Sequence, residues 1–210
     1  MTRRVVITGL GPVTALGVGL DPLWEGLVEG RSAVGPLQRF DPGGFACRHA
    51  GELPDDAFEV KKIVPRSYRK AVKVMCRDIE LAVGAAAVAV DHAGLVTKAT
   101  DPESPPTIDP DRFGCQIGAG LISADVDEMT QAFRASRHED GSFDLGHWGR
   151  EGMQNLTPLW LLKYLPNMLA CHVTIVHDCR GPSNTITCCE ASGLLCVAEA
   201  MRVIQRDHAD

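Results

Sequence analysis

The sequence lacks any apolar run that reaches the roughly 18 residues needed to cross a membrane. Positively charged residues are also fewer than negatively charged ones: 21 lysines and arginines against 27 aspartates and glutamates give a formal net charge of −6. That deficit argues against nucleic acid as the main partner. The basic start leads into a strand-like segment rather than into the apolar core of a signal peptide. We therefore expect a cytoplasmic protein with no membrane contact and no nucleic-acid partner.

Cysteine pairs at the C-x-x-C spacing are missing, which removes the common zinc and thiol-redox templates. Eight cysteines are nevertheless present. Without a secretory signal, a disulfide framework is not expected. Most of the eight are predicted to be small buried residues, because free cysteine packs as a hydrophobic side chain. The sequence predicts no metal site and no cofactor.

What the chain does contain is enough apolar material for one domain, with 45% hydrophobic residues in a length of 210. Strand patterns alternate with helix patterns, which predicts an α/β fold with a mostly parallel sheet. The predicted strands cover residues 3–8, 46–52, 113–117 and 184–188. The predicted helices cover residues 21–28, 65–94 and 124–135, and two more begin at Pro166 and Ala191. Residues 97–112 and 137–155 are predicted to be loop or irregular.

Two glycines near the start, Gly9 and Gly11, suggest a dinucleotide-binding loop. The third glycine of that fingerprint is missing, and Pro12 stands where the helix should open. We therefore do not predict a nucleotide site there.

The sequence predicts a sharp corner between a strand and a helix, around which the chain is organised. Gly181 and Pro182 form a turn signal, a short strand follows, and a helical rhythm of apolar residues begins at Ala191. Between strand and helix lie Cys188, Cys189 and Glu190. Unpaired N–H groups and the positive end of the helix dipole favour negative charge at such a point. The corner is therefore the candidate place for a nucleophile or an anion.

A second candidate feature is a basic cluster formed by Arg66, Arg69, Lys70 and Lys73. Their spacing of i, i+3, i+4 and i+7 places them on one face of the predicted helix. An acidic partner could dock on that face, although a solvated helix surface would show the same pattern.

Five stretches, taken in order, resemble the β-ketoacyl-acyl carrier protein synthases, the condensing enzymes of the thiolase-like superfamily. They are residues 3–11, 91–95, 118–121, 167–172 and 180–183. The resemblance covers nearly the whole chain. It implies a thiolase-like layered α/β sandwich in which residues 1–210 form the N-terminal half, with the C-terminal half absent from this chain. It also implies an acyltransferase of fatty acid or polyketide biosynthesis, an acyl carrier protein as partner, and dimer formation.

The resemblance assigns roles to particular residues. Gly120 and Leu121 correspond to the segment beside the acyl pocket, and the basic cluster corresponds to the carrier docking patch. The family nucleophile is a cysteine nine residues after the glycine matched by Gly181 and three before the glycine matched by Gly193. Both counts lead to Glu190. Cys189 is the fallback nucleophile, at the cost of shifting both flanks by one residue.

A carboxylate at this position changes the expected chemistry. In the family a thiolate attacks an acyl thioester, and a carboxylate is a far poorer nucleophile for that step. The protein is therefore predicted to be unable to condense by the usual cysteine mechanism, so its standing as an enzyme is left open. The alternatives are a malonyl-carrier decarboxylase, a non-catalytic chain-length-factor-like partner, and an inactive fragment of a larger protein.

The resemblance also bears on the histidines and on assembly. The family's two histidines, lysine and oxyanion loop belong to a second half, and the seven histidines here do not stand in matching contexts. They are predicted to be surface residues or hydrogen-bonded core residues. The strand before the corner would be left with an open edge. We therefore expect a homodimer, or association with a C-terminal half or a paired ketosynthase.

Overall fold

The computed structural model describes residues 3–54 and 56–210. Met1, Thr2 and Asp55, which belong to the predicted domain 1–210, lie outside the described residues. The strands are β1 (Val13–Thr14), β2 (Gly17–Val18), β3 (Val34–Pro36), β4 (His49–Gly51), β5 (Cys115–Gly118) and β6 (Ser183–Ile186). The α-helices are α1 (Leu20–Val28), α2 (Val60–Ile63), α3 (Arg77–His92), α4 (Val126–Arg134), α5 (Leu145–Arg150), α6 (Leu161–Tyr164), α7 (Asn167–His177) and α8 (Ser192–Gln205). Short 3₁₀ helices cover Arg66–Val74, Pro110–Arg112, Gly152–Asn155 and Cys189–Ala191.

The core lies between α3 and α7. Ile79 and Val83 of α3 are fully buried, and Val173 and Val176 of α7 belong to the same apolar cluster. Met75, just before α3, is also buried in this cluster. The long apolar pattern of the sequence therefore correctly predicts which helical segments build the centre of the fold.

The chain near Gly9 and Gly11 runs directly across the alanine-rich face of α3. A Cβ atom on Gly11 would lie 2.1 Å from the carbonyl oxygen of Ala85, and one on Gly9 would lie 2.5 Å from that of Ala89. No side chain could occupy either position without displacing backbone. The two glycines therefore serve close packing, which explains them without a nucleotide.

The predicted strand over residues 3–8 is wrong. The described chain pairs no strand with this segment, and Val6 and Ile7 are 75% and 77% exposed. The segment is instead held at its start by Arg3, whose guanidinium lies 2.8 Å from Asp207 and 3.2 Å from Asp210. The apolar run has the composition of a buried strand, but no strand of the described residues pairs with it, and Val6 and Ile7 stay exposed.

The prediction of a mostly parallel sheet is also wrong for the residues that the structure describes. Their strands form three two-stranded sheets, of which β1–β2 and β3–β4 are antiparallel. The parallel pair is β5–β6, in a register that opposes Cys115 to Ser183 and Gly118 to Ile186. The alternation of helices and strands predicts the parallel pairing of β5 and β6 correctly, because the many residues between these strands form the crossover that a parallel pair needs.

The predicted helix over residues 65–94 is divided in two. Met75 adopts an extended conformation (φ −91°, ψ 133°) between the 3₁₀ helix Arg66–Val74 and α3, and its buried side chain reaches the core there. A 3₁₀ helix turns by three residues, so Arg66 and Arg69 form one exposed ridge while Lys70 and Lys73 form the next. The prediction of a single shared face is therefore wrong, although all four side chains are exposed.

Two further corrections concern residues 137–155 and the start of α1. The first region contains α5 and a 3₁₀ helix, because Asp144 caps α5 and accepts a 2.8 Å hydrogen bond from the N–H of His147. In the second, α1 begins one residue before Asp21, and Gly19 rather than Asp21 is its N-cap residue.

The cysteines are less buried than predicted. All eight thiols are free; Cys47, Cys188 and Cys189 are exposed, and the other five are partly buried. The prediction that most are buried is therefore wrong, in part because two of them stand on the open corner. No helix of the described residues is long and apolar enough to cross a bilayer.

Candidate functional site

The candidate site lies where the parallel strands β5 and β6 end side by side. The N–H of Ala119, just after β5, donates a 3.0 Å hydrogen bond to the carbonyl oxygen of Ile186 at the end of β6. The carboxyl ends of adjacent parallel strands are a common place for ligands. The structure therefore brings Gly120 and Leu121, which follow β5, to the same edge as the corner that follows β6.

Helix α8 begins directly against the end of β5. A Cβ atom on Gly118 would lie 2.4 Å from the carbonyl oxygen of Ser192, the first residue of α8. Glycine at this position allows the strand and the helix to approach closely. The close approach places the start of α8, and the corner just before it, against the end of β5.

The corner itself has an unusual backbone. Cys188 has φ −146° and ψ 50°, and Cys189, which opens the short 3₁₀ helix, has φ +46°. A side-chain-bearing residue in the left-handed region costs about 1–2 kcal/mol. Strain of this kind is often found at functional sites. The positive φ falls on Cys189, one residue before Glu190.

Ser192 holds the corner in this shape. Its hydroxyl accepts a 2.8 Å hydrogen bond from the N–H of Cys188 and donates a 2.6 Å hydrogen bond to the carbonyl oxygen of Cys189. The residue is buried, with 3% of its surface exposed. Sequence reasoning missed this residue. A serine at the start of a helix directly after a corner is the signal that could have suggested it.

The side chains at this edge are open to solvent. Cys188, Cys189 and Glu190 are all exposed. Leu121 is 93% exposed, so the described residues do not enclose an acyl pocket around it. An acyl chain bound here would need further cover for its apolar surface.

The basic cluster is connected to this edge through α7. The Tyr68 hydroxyl, on the same 3₁₀ helix as the four basic residues, lies 2.7 Å from Nδ1 of His172 in α7. Helix α7 in turn leads to β6 along the chain. The 3₁₀ helix that carries the cluster therefore contacts α7, the helix that precedes β6 and the corner in the chain.

The partly buried thiols are poor nucleophiles. Burial raises the pKa of Cys115 to about 11 and that of Cys179 to about 12. Both are therefore protonated at neutral pH, and a thiolate is the reactive form. The exposed cysteines of the corner are the better candidates for thiol chemistry.

Two histidines are buried next to the core. Nδ1 of His172 contacts the Tyr68 hydroxyl, and Nδ1 of His177 lies 2.9 Å from Oγ1 of Thr97. Burial lowers the pKa of His172 and lowers that of His177 to about 4. Nε2 of each ring has no hydrogen-bond partner among the described residues. The predicted hydrogen bonding of core histidines is confirmed at one nitrogen of each ring.

Comparison with known proteins assigns the fold. A family model described as "Beta-ketoacyl synthase, N-terminal domain" matches residues 2–210. The 3-oxoacyl-[acyl-carrier-protein] synthase 2 of Synechocystis sp. is 31% identical over 208 residues, which cover 99% of this chain and 43% of that protein. A Streptomyces violaceoruber protein named as a granaticin polyketide beta-ketoacyl synthase 1 is 30% identical over 210 residues, covering 100% of this chain and 45% of that protein.

Solved structures agree. A beta-ketoacyl synthase from Burkholderia phymatum superposes with a TM-score of 0.70 at 27% identity, covering 100% of this chain and 45% of that chain. The ishigamide ketosynthase/chain length factor superposes with a TM-score of 0.73 at 23% identity, covering 100% and 46%. This chain thus spans less than half the length of each of these four relatives. The predicted thiolase-like ketosynthase fold is confirmed. Because the match extends over essentially every residue, the chain belongs to the beta-ketoacyl synthase family and carries its N-terminal domain.

Proposed function

We propose that this chain is part of a ketosynthase-like protein of fatty acid or polyketide biosynthesis that does not condense by the usual cysteine mechanism. The observation that carries the proposal is the corner after β6, where Glu190 is exposed at the approach to α8. The same edge holds Gly120 and Leu121, next to β5. Residue counts from both flanks assign the nucleophile position to Glu190.

The chemistry of a carboxylate supports the first part of this proposal. A thiolate displaces the carrier thiol of an acyl thioester and keeps the acyl group as a new thioester. A carboxylate would form a mixed anhydride instead, which water hydrolyses readily. Glu190 therefore offers no stable acyl intermediate for a condensation step.

Cys189 is the competing candidate, and its backbone favours it. A nucleophile on a sharp strand-to-helix turn is presented away from the sheet, and strained dihedral angles accompany such turns. Cys189 is exposed and has φ +46°. If Cys189 is the nucleophile, the protein is a condensing enzyme whose corner is shifted by one residue.

The remaining alternatives need no nucleophile. The family resemblance implies that relatives with glutamine at the nucleophile position are malonyl decarboxylases or non-catalytic partners. Glutamate resembles glutamine in shape, so Glu190 would suit a malonyl-carrier decarboxylase or a non-catalytic chain-length-factor-like partner. The likeness to the ishigamide ketosynthase/chain length factor concerns the fold alone. Decarboxylase and partner differ in one observable product, the acetyl carrier protein.

The test is to incubate the full-length protein with acyl and malonyl carrier proteins and to follow acyl-enzyme, acetyl carrier and β-ketoacyl carrier by mass spectrometry. The variants are Glu190→Cys, Cys189→Ser and, as the matched control, Cys188→Ser. We expect no condensation by the wild type and a stable acyl adduct on the Glu190→Cys variant. An adduct on wild-type Cys189 that Cys189→Ser removes and Cys188→Ser keeps would overturn the assignment to Glu190.

We further propose that the exposed cluster of Arg66, Arg69, Lys70 and Lys73 docks an acidic acyl carrier protein. Its two adjacent ridges present four positive charges on one 3₁₀ helix, which suits an acidic surface. Reversing Arg69 and Lys70 to glutamate should weaken carrier binding and reduce its salt dependence. The exposed Lys98 offers a matched control, since Lys98→Glu should leave binding unchanged.

We also propose that the protein acts as a homodimer, or with a C-terminal half or a paired ketosynthase, in the cytoplasm. Helix α8 supports the association with another chain, because its Leu194 and Val197 are 80% and 60% exposed. The eight free thiols support the cytoplasmic location, since they suit a reducing compartment.

A further inference from the structure

A cluster of two histidines and one aspartate lies in the turn after α4 and at the start of α5. One ligand atom each from His138, Asp144 and His147 lies within 4.8 Å of the others. Nε2 of His138 is 2.9 Å from Oδ2 of Asp144. The two imidazole rings are 5.3 Å apart between centroids, at an angle of 54°. Three metal-binding side chains thus converge on one point.

The backbone of His138 is held by a tight hairpin-like turn. Its N–H donates to the carbonyl oxygen of Ser142 at 2.9 Å, and its own carbonyl oxygen accepts from the N–H of Gly141 at 2.9 Å. Gly141 has φ +84°, a conformation that glycine adopts without strain. An isolated bridge between Arg137 and Phe143 closes the turn. His138 is therefore presented from a defined loop rather than from a free chain.

Asp144 and His147 are oriented by the start of α5. Oδ1 of Asp144 accepts the N–H of His147 at 2.8 Å, which leaves Oδ2 facing His138. That backbone hydrogen bond is the main reason why the pKa of Asp144 is lowered. The start of α5 therefore fixes the direction in which Asp144 presents its second carboxylate oxygen to His138.

An aromatic cluster packs beside the three metal-binding side chains and joins the elements that bear them. The Trp148 ring lies 5.4 Å from that of Phe133 in α4 and 6.0 Å from that of Phe143. Packed supports of this kind hold ligands in a fixed geometry. The site is therefore held by α4, the turn before Asp144 and α5, which pack together through these three rings.

The donor set decides the class of ligand. Two imidazoles and a carboxylate suit zinc and the neighbouring divalent transition metals, whereas magnesium and calcium prefer oxygen alone. An ion pair of His138 with Asp144 would account for two of the three residues but would give the adjacent His147 ring no role. We propose that His138, Asp144 and His147 bind a divalent transition-metal ion, represented by Zn²⁺, with at least one coordination position left for water or a partner's side chain.

Binding of Zn²⁺ to the purified protein at pH 7.5, under reducing conditions, tests the proposal by competition with a chromophoric chelator. We expect one equivalent to bind, and His138→Ala, His147→Ala and Asp144→Asn each to weaken that binding by about tenfold or more. Asp144→Asn retains an oxygen that can cap α5, so it separates the loss of a ligand from the loss of the helix start.

Two controls separate this site from the thiols, which also bind zinc. The double variant Cys188→Ser/Cys189→Ser and the exposed His49→Ala should bind Zn²⁺ as the wild type does. With Co²⁺, the visible bands should appear without a thiolate charge-transfer band. Absence of stoichiometric binding, or loss of binding in the cysteine variant alone, would overturn the proposal. Protection of His138 and His147 from diethyl pyrocarbonate by Zn²⁺, read by peptide mass spectrometry on the wild type, gives the same answer without a substitution.

Discussion

Cys188 and Cys189 are neighbours of the same type and similar exposure, but their backbones differ. Cys188 has φ −146° and Cys189 has φ +46°. The left-handed region is strongly disfavoured for a β-branched side chain, whereas the negative φ of Cys188 lies outside that region. The pair therefore offers a direct measure of the strain stored at the corner.

We expect Cys189→Val to lower the free energy of unfolding by about 1–2 kcal/mol, because valine is forced into the left-handed region. Cys188→Val should lower it by less than Cys189→Val does, because the φ of Cys188 is negative. Urea denaturation followed by circular dichroism measures both. Equal effects of the two substitutions would show that the corner relaxes out of the positive φ.

His177 predicts a pH dependence of stability. Its pKa is lowered by burial to about 4, below the ordinary value of about 6.5. The unfolded chain therefore binds a proton that the folded chain excludes, so stability is fully present above about pH 6.5 and is lost as the pH falls towards 4. The loss approaches about 3 kcal/mol, since each pKa unit corresponds to about 1.4 kcal/mol.

The measurement is the urea midpoint of the wild type between pH 7 and pH 4.5. His177→Gln should flatten this pH profile. The exposed His49→Gln should leave the profile as steep as in the wild type. The pKa of His172 is lowered by burial in the same way, so a residual slope in His177→Gln is expected. A wild-type profile without any slope in this window would contradict the prediction.

At the scale of elements, the contact between β5 and α8 decides the shape of the site. A Cβ atom on Gly118 would lie 2.4 Å from the carbonyl oxygen of Ser192, whereas one on Gly120 would meet no atom within 4 Å. Gly118→Ala should therefore destabilise the fold by about 1–3 kcal/mol through overpacking. Gly120→Ala is the matched control and should be nearly neutral. Thermal unfolding of both variants checks this, and a tolerated Gly118→Ala would mean that α8 does not start against β5.

At this scale, sequence patterns predict the core helices correctly but fail for the basic cluster and for the apolar run near the start of the chain. The apolar period of α3 and α7 predicted both helices, because a buried face of this kind has few other solutions. The basic cluster kept a helical spacing, but the buried Met75 required an extended residue at the end of a 3₁₀ helix. The run at Val6 and Ile7 predicted a strand, yet strand formation needs a neighbour that the pattern itself does not contain.

At the scale of the whole molecule, the apolar surface of α8 predicts association. Leu194 and Val197 are 80% and 60% exposed, and a monomer seldom leaves a large apolar patch open to water. We expect the isolated chain to self-associate in light scattering coupled to size-exclusion chromatography. Leu194→Lys/Val197→Lys should shift it towards the monomer, and Leu145→Lys, an equally exposed position on α5, should not. A monodisperse wild-type monomer would contradict this prediction.

The sequence by itself determined the family, the core helices α3 and α7, the strand β5 and the position of the corner, because these depend on local patterns and residue counts along one chain. Glu190 and Cys189 were named as candidates in this way. Only the tertiary structure decided that the positive φ falls on Cys189, that Ser192 clamps the corner, and that His138, Asp144 and His147 converge. These features depend on distances between side chains and on the close approach of α8 to β5. Packing sets those distances, and no sequence period encodes them.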